Sequence, residues 1–141
     1  MLVNWTGGGI TAAVLASATV AVAQPDVPDL EGSWTGVADI VLLSEESEHV
    51  APSSEPSFPS LQFTITIKQQ EGRGFAGTLA STRATDPLIG MIRSDGRRLH
   101  MVDNDGTLSG ELIGPDDMEV CRTEVTPSSM SVYCATFTRN R

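Results

Sequence analysis

Basic residues are scarce in this chain of 141 residues, which has 9 Lys and Arg against 18 Asp and Glu and a net charge of −9. Nucleic-acid binding depends on neutralising phosphates with basic side chains, so this balance argues against a nucleic-acid partner. It argues equally against binding to an anionic membrane surface. The composition predicts a soluble, acidic protein in an exported compartment.

Sustained helical periodicity is also missing, because no stretch repeats its apolar residues every three to four positions. Short runs of alternating apolar and polar residues occur instead, and turn signals separate them. This pattern predicts an all-β fold with eight strands. The predicted strands are 33–43, 61–70, 75–82, 88–94, 97–103, 107–113, 118–125 and 130–139.

The turns between these runs suit tight hairpins, because Gly, Asn and Asp tolerate the backbone angles that such turns need. Consecutive hairpins form a meander, and a meander of eight antiparallel strands can close into an up-and-down barrel without exposed edges. A two-residue loop at Asp95-Gly96 sets Ile92 opposite Leu99. A two-residue loop at Asp105-Gly106 then sets Leu99 opposite Leu112, with the apolar residues of all three strands on one face.

The first 23 residues have the pattern of a secretory signal peptide. Residues 10–23 form an apolar run that ends in Ala21-Val22-Ala23, which fits the small-residue cleavage motif. The first nine residues contain neither Lys nor Arg, and an uncleaved N-terminal anchor is the alternative. We therefore expect a signal peptide at 1–23, one barrel domain at 24–141, and a periplasmic or secreted location.

The chain has two cysteines, and in an exported protein such a pair predicts a disulfide. A turn centred on Pro127-Ser128 places Cys121 directly opposite Cys134 in the last hairpin. Opposed residues of an antiparallel pair lie close enough to bridge. A metal pair or a redox couple is the alternative, although a third ligand and a C-x-x-C spacing are both missing.

The same hairpin register turns three polar residues towards the barrel interior, namely Arg122, Glu124 and Tyr133. One interpretation is a buried ion pair with a hydroxyl partner, because a buried charge is normally paired. The other is a polar anchor for the head group of a ligand in an apolar cavity. On this second interpretation, the ligand-binding residues are Arg122, Tyr133, Glu124, Met101 and Ile40.

Gly32-Ser33-Trp34 resembles the G-x-W signature that opens the first strand in the calycin superfamily, the lipocalins and avidins. The resemblance implies an eight-stranded barrel in which Trp34 lies across the closed end and a basic residue of the last strand packs on its ring. Arg139 is the candidate for that contact. The family also has a long first loop at the open end, a position that residues 44–60 would take here.

No catalytic set can be assembled from the sequence, and we expect no enzyme, no cofactor and no metal. His49 lies in an acidic loop and His100 on an outward face, so no Ser-His-Asp arrangement is apparent. The run from Asp103 to Gly106 resembles part of a calcium loop, but the later ligands of an EF-hand are missing. It is interpreted as a hairpin turn.

Two functions remain as leading alternatives. The first is an exported barrel that binds a small apolar or amphipathic ligand, with Arg122 and Tyr133 as anchors. The second is a protein-binding module, such as an inhibitor of a periplasmic hydrolase, that uses the acidic loop 44–60. Acidic residues at the predicted open end form a solvated rim, or favour a cationic ligand or a basic partner. They are Glu45, Glu46, Glu48, Glu55, Asp86, Asp103, Asp105 and Glu124.

Overall fold

The computed structural model describes residues 26–44 and 53–141, and these form antiparallel strands. The predicted signal peptide at 1–23 lies outside the described residues. Across the described ranges, no helix is long and apolar enough to cross a membrane. The strands are β1 Gly32–Ser44, β2 Ser53–Ser57, β3 Ser60–Glu71, β4 Gly74–Ala80, β5 Thr85–Ile92, β6 Arg98–Val102, β7 Gly106–Leu112, β8 Asp117–Val125 and β9 Ser129–Arg139.

The sheet closes into a barrel, which confirms the predicted all-β fold. From β3 to β9, each strand pairs with the next, and β1 pairs with both β3 and β9. Nine strands occupy eight positions, because β2 continues the row of β3. Leu42 and Ser44 of β1 pair with both β2 and β9, so β2 and β9 lie on opposite edges of β1. The edge that pairs with β2 here is the edge that pairs with β3 at residues 32–39 of β1.

The strand β2 corrects the prediction that 44–60 is one long loop. Ser53–Ser57 pairs with β1, and the carbonyl of Pro59 accepts a hydrogen bond of 2.9 Å from Ile40 N just beyond it. The sequence of β2 has no apolar alternation and contains Pro56, which cannot donate to a ladder. Pairing with β1 therefore decides the conformation of this segment, and no local pattern predicts it.

The barrel interior is built from alternate residues of the strands, and the predicted inward faces are confirmed. Trp34, Phe63 and Phe137 are among the largest side chains that are fully buried there. The ring of Phe75 packs directly against Gly90, where any larger residue would clash, because a Cβ at this position would lie 2.3 Å from Phe75 Cζ. The alternation of each strand thus produces a single apolar core inside the closed sheet.

The register of the central strands is partly as predicted. Ile92 pairs with Leu99, which confirms the first hairpin. Leu99, however, pairs with Gly110 and not with Leu112. The turn is centred on Asn104-Asp105, one residue earlier than predicted, since Asp103 N donates to Gly106 O at 3.2 Å and Val102 pairs with Thr107. A shift of two residues preserves the inward face, which explains why the face prediction survives the error in register.

The last hairpin has the predicted register and the predicted disulfide. Thr126 N donates to Ser129 O at 2.8 Å, and Cys121 pairs with Cys134. The two Cα atoms are 4.0 Å apart and a disulfide joins the residues on the outer face of the sheet. The local turn chemistry of this hairpin was therefore sufficient to identify the bridge.

One end of the barrel, here called the plugged end, is closed by Leu30, Trp34, Gln70 and Arg139. The indole of Trp34 is fully buried and its Nε1 donates to Leu30 O at 3.0 Å. The guanidinium of Arg139 lies 4.4 Å above the ring centroid. Gln70 accepts a hydrogen bond from Leu30 N and donates one to Pro28 O, both 2.8 Å. The chain before β1 thus folds across this end.

Candidate functional site at the charged end of the barrel

The opposite end of the barrel contains an ionic cluster of Asp86, Asp103, Asp105, Arg122 and Glu124, here called the charged end. Arg122 lies on β8, points inward, and is only 2% exposed. Its neighbours across the sheet are Leu108 on β7 and Tyr133 on β9. A buried guanidinium is costly unless carboxylates pair with it and satisfy its N–H groups, so its contacts decide what this end can do.

Three carboxylates bind Arg122. Its Nε donates to Asp103 Oδ2 at 2.6 Å, its Nη1 donates to Glu124 Oε2 at 2.8 Å, and its Nη2 donates to Asp105. Burial alone would lower the pKa of Arg122, but the hydrogen bonds to Asp103 and Glu124 hold that pKa above its ordinary value. Arg122 is therefore a permanent positive charge inside the barrel.

The β6–β7 turn holds two of these carboxylates in place. Asp103 Oδ1 accepts hydrogen bonds from Gly106 N at 2.6 Å and from Asp105 N at 3.3 Å, while its other oxygen binds Arg122. Gly106 allows the close approach, because a Cβ there would lie 2.8 Å from Thr123 O and 3.1 Å from Arg122 Cζ. The segment is the predicted hairpin turn, and it delivers both of its aspartates to the interior cluster.

The cluster has more negative than positive charge. Four carboxylates, those of Asp86, Asp103, Asp105 and Glu124, surround the single guanidinium, and Asp86 and Glu124 are nearly inaccessible. Burial raises the pKa of Asp105, and the neighbouring carboxylates of Glu124, Asp103 and Asp86 add to that rise against the opposing effect of Arg122. With all groups ionised, these five residues carry four negative charges and one positive charge.

Tyr133 places an unsatisfied hydroxyl beside this cluster. Its ring stacks on Phe63, with centroids 5.0 Å apart, and the residue is 4% exposed. Among the residues that the structure describes, its hydroxyl has no hydrogen-bond partner. Burial raises the pKa of Tyr133, while the charges of Arg122 and Asp103 act on it in opposite directions. A buried hydroxyl without a partner costs about 1–3 kcal/mol, so it requires an explanation.

The five residues that the sequence assigned to ligand binding divide into two groups. Arg122 and Glu124 are bonded to each other in the cluster, and Tyr133 pairs directly with Arg122 across the β8–β9 ladder. Ile40, next to Tyr133 on β1, and Met101 on β6 belong to the apolar core. Their contact with a ligand remains a prediction.

The structure shows the buried ion pair of Arg122 and Glu124 that the sequence suggested as one interpretation, but the two aspartate partners of Arg122 were not predicted. Asp86, Asp103 and Asp105 were assigned to an acidic rim, although Asp103 also follows the inward alternation of Leu99 and Met101. Asp86 shares the inward parity of Leu88 and Ile92 on β5, so its alternation was a usable signal. The contact between the turn and Arg122 is non-local, and no local pattern reports it.

Two depressions open at this end, on either side of Val125. One has a volume of about 410 Å³ and is lined by Asp103, Asp105 and Thr123 among others. The second, of about 470 Å³, is lined by Ser44, Ser129 and Met130 among others. Both volumes lie in the range of small-molecule sites. The charged end thus combines accessible space with buried polar groups.

No protein-family model matches the sequence, and no curated protein matches it. A redesigned β-barrel is similar in structure, with 10% identity, a TM-score of 0.48, and 79% of this chain and 92% of that chain covered. An S-type phycobiliprotein lyase from Guillardia theta has 14% identity, a TM-score of 0.36 and coverage of 79% and 89%. A surface lipoprotein has 15% identity, a TM-score of 0.37 and coverage of 80% and 66%. These likenesses carry no argument about function.

Proposed function

We propose that this protein is an exported, calycin-type barrel that binds a small apolar or amphipathic ligand from its charged end. The observation that carries the proposal is the Tyr133 hydroxyl, which is buried beside a charged cluster and has no partner in the described part of the chain. A ligand atom that bonds this hydroxyl would remove its desolvation cost. Few polar groups within an apolar lining are typical of small-molecule sites.

The surrounding contacts give each anchor a role. Arg122 already donates to three carboxylates, so it positions the polar group of a ligand mainly through Glu124 and Asp103. Tyr133 supplies a hydroxyl that can donate or accept. Ile40 and Met101 supply apolar surface. The excess of carboxylates favours a neutral or cationic polar group over an anionic one.

Export and the calycin relationship rest on two further observations. The disulfide between Cys121 and Cys134 is typical of oxidising compartments. The stacking of Arg139 on Trp34 is the contact that the G-x-W resemblance implies. Both support the proposed periplasmic or secreted location and the proposed family.

Native mass spectrometry of the protein purified from its own source tests the proposal. We expect a retained small molecule on the wild type, which Tyr133→Phe loses. Val132→Thr is the matched control, because Val132 adjoins Tyr133 on β9 but is exposed on the outer face. Wild-type protein that carries no organic mass, and whose solvent extract equals the blank, would contradict a ligand-binding function.

A protein-binding module is the second candidate, and the outer face of the sheet favours it. Val41 pairs with Val132 and Leu43 with Met130, and all four side chains are substantially exposed. This apolar ladder lies beside the acidic 44–60 segment, of which residues 45–52 lie outside the described residues. A purified hydrolase should bind the wild type but not a Val41→Thr, Val132→Thr variant. Equal binding by both would exclude the ladder as the contact.

A further inference from the structure

Three aspartates from two separate parts of the chain converge at the charged end. Asp86 lies near the start of β5, whereas Asp103 and Asp105 belong to the β6–β7 turn. One carboxylate oxygen from each lies within 4.8 Å of the others. A Ca²⁺ ion binds oxygens at about 2.3–2.6 Å, so oxygens that share one ion lie no more than about 5 Å apart. The spacing of these aspartates fits a single ion.

The fold supplies the ligands that the turn lacks. Asp103 and Asp105 are two residues apart, as are the first two ligands of a calcium loop, but Gly114 stands where such a loop has its bidentate Glu. In the folded protein, Asp86 approaches from another strand. Glu124 enters the same network through Arg122. The three oxygen donors to the ion thus come from two separate parts of the chain, and Glu124 holds Arg122 beside them.

Arg122 neutralises only part of this charge. Its bonds go to one oxygen of each aspartate of the turn, and a carboxylate offers about four lone-pair sites, so capacity for a cation remains. Several carboxylates in one buried place disfavour their own ionised forms. A divalent cation between the carboxylates would offset this effect.

Tyr133 gives independent support for a ligand at this place. Tyr133 lies directly opposite Arg122 in the β8–β9 ladder and both side chains are buried on the inward face, so its hydroxyl lies on the same side of the sheet as the cluster. It is buried and unpartnered in the part of the chain that the structure describes. A hydroxyl oxygen can bind an ion or a water of its coordination shell.

We propose that Asp86, Asp103 and Asp105 bind a hard divalent cation of the Ca²⁺ class, with the Tyr133 hydroxyl facing its coordination shell. Arg122 acts as a fixed positive group that orients Asp103 and Asp105. The proposal is separable from the organic ligand proposed above, because protein stripped of organic molecules should still bind the ion.

Calorimetric titration of the full chain with CaCl₂, after chelator treatment and solvent extraction, tests the ion site. We expect saturable binding of one ion, weakened about tenfold or more in Asp86→Asn, Asp105→Asn because two charged ligands are lost. The control is Glu119→Gln, an exposed carboxylate on the outer face of β8, which should bind like the wild type. Equal affinity in all three proteins, or no saturable heat with the wild type, would overturn the proposal.

Terbium luminescence locates the ion even if the double variant does not fold. Tyr133 is the only tyrosine of the chain, and it can transfer excitation to a bound Tb³⁺ nearby. Emission should disappear in Tyr133→Phe and persist in Trp34→Phe, since Trp34 lies at the plugged end. Calcium should displace the signal. Emission that depends on Trp34, or that calcium leaves unchanged, would place the cation elsewhere and refute the assignment.

Discussion

The plugged end and the charged end each bury a large side chain, Trp34 and Arg122, but the contacts that stabilise the two buried side chains differ in chemistry. Trp34 is fully buried, uses one hydrogen bond to Leu30 O, and is covered by Arg139. Arg122 is almost as buried, yet three carboxylates hold it. Apolar burial stabilises at any pH, whereas buried ion clusters repay their desolvation cost only in part. On the proposed function, the plugged end serves stability and the charged end serves binding.

The largest expected effect is at the plugged end. Trp34→Ala removes a fully buried indole and should lower the free energy of unfolding by about 4 kcal/mol. Urea unfolding of variant and wild type measures this difference. Because no ionised group is left unpaired in the interior, the loss should be similar at neutral and mildly acidic pH. A loss below about 1 kcal/mol would mean that the ring is not a structural plug.

Arg122→Met should cost about 3 kcal/mol at neutral pH, because it leaves carboxylates buried without their counter-charge. In this variant the effect of burial, which raises the pKa of Asp105, is no longer opposed by Arg122, so the deficit is present above that pKa and shrinks as the pH falls. The same urea series in mildly acidic buffer should therefore show a smaller loss. An equal loss of unfolding free energy at both pH values would show that the charged end, like the plugged end, stabilises the protein independently of pH.

Gly106→Ala should destabilise the protein by about 2 kcal/mol, since the added Cβ would meet Thr123 O at 2.8 Å and force the turn away from Arg122. Gly114→Ala is the matched control in the β7–β8 turn, where a Cβ has only ordinary contacts, the nearest at 3.7 Å. Thermal or urea unfolding of both proteins tests the comparison. Equal stabilities would show that the turn does not approach Arg122 so closely.

Arg139→Ala should cost about 1 kcal/mol, through lost stacking and uncovered indole. The change should be non-additive with Trp34→Ala, because the two side chains are in contact. A double-mutant cycle from unfolding free energies measures the coupling. Strict additivity would contradict the stacking that defines the plugged end.

The smallest expected change in stability is that of Tyr133→Phe, about 0–1 kcal/mol in the stabilising direction, because the variant no longer buries an unsatisfied hydroxyl while the space that the oxygen leaves offsets part of the gain. In the wild type, burial raises the pKa of Tyr133 above its unfolded value. The neutral phenol therefore does not oppose folding below about pH 10, and the free energy of unfolding falls as the pH rises above that value. Tyrosinate absorbance should therefore appear only as the protein unfolds in alkali. Ionisation of the folded protein near the ordinary value would show that the hydroxyl reaches solvent.

The features that the sequence predicted correctly are those fixed by local periodicity and turn chemistry. Alternation along β8 and β9, with the Pro127-Ser128 turn, was enough to pair Cys121 with Cys134. The β6–β7 register was wrong because the turn is centred on Asn104-Asp105 and not on Asp105-Gly106, with the side chain of Asp103 accepting hydrogen bonds from Asp105 N and Gly106 N. Local signals therefore identify which residues of a strand point inward more reliably than they identify which residues pair across two strands.

The features that the sequence did not predict depend on contacts between distant segments. Leu30 closes the plugged end through Gln70, 40 residues away in the chain, and its isolated apolar side chain was the only local signal. Asp103 and Asp105 reach Arg122 from 19 and 17 residues away. Charge pairing of this kind is set by the closed barrel and not by any short pattern.

Hydrogen–deuterium exchange can show whether the two ends of the barrel have different tasks. The comparison is between the protein as isolated from its own source and the same protein after chelator treatment and solvent extraction. We expect faster exchange after extraction at 102–107 and 122–132, at the charged end, with exchange at 28–36 unchanged. Exchange that is identical in the two samples, or that changes chiefly at the plugged end, would refute a binding role of the charged end.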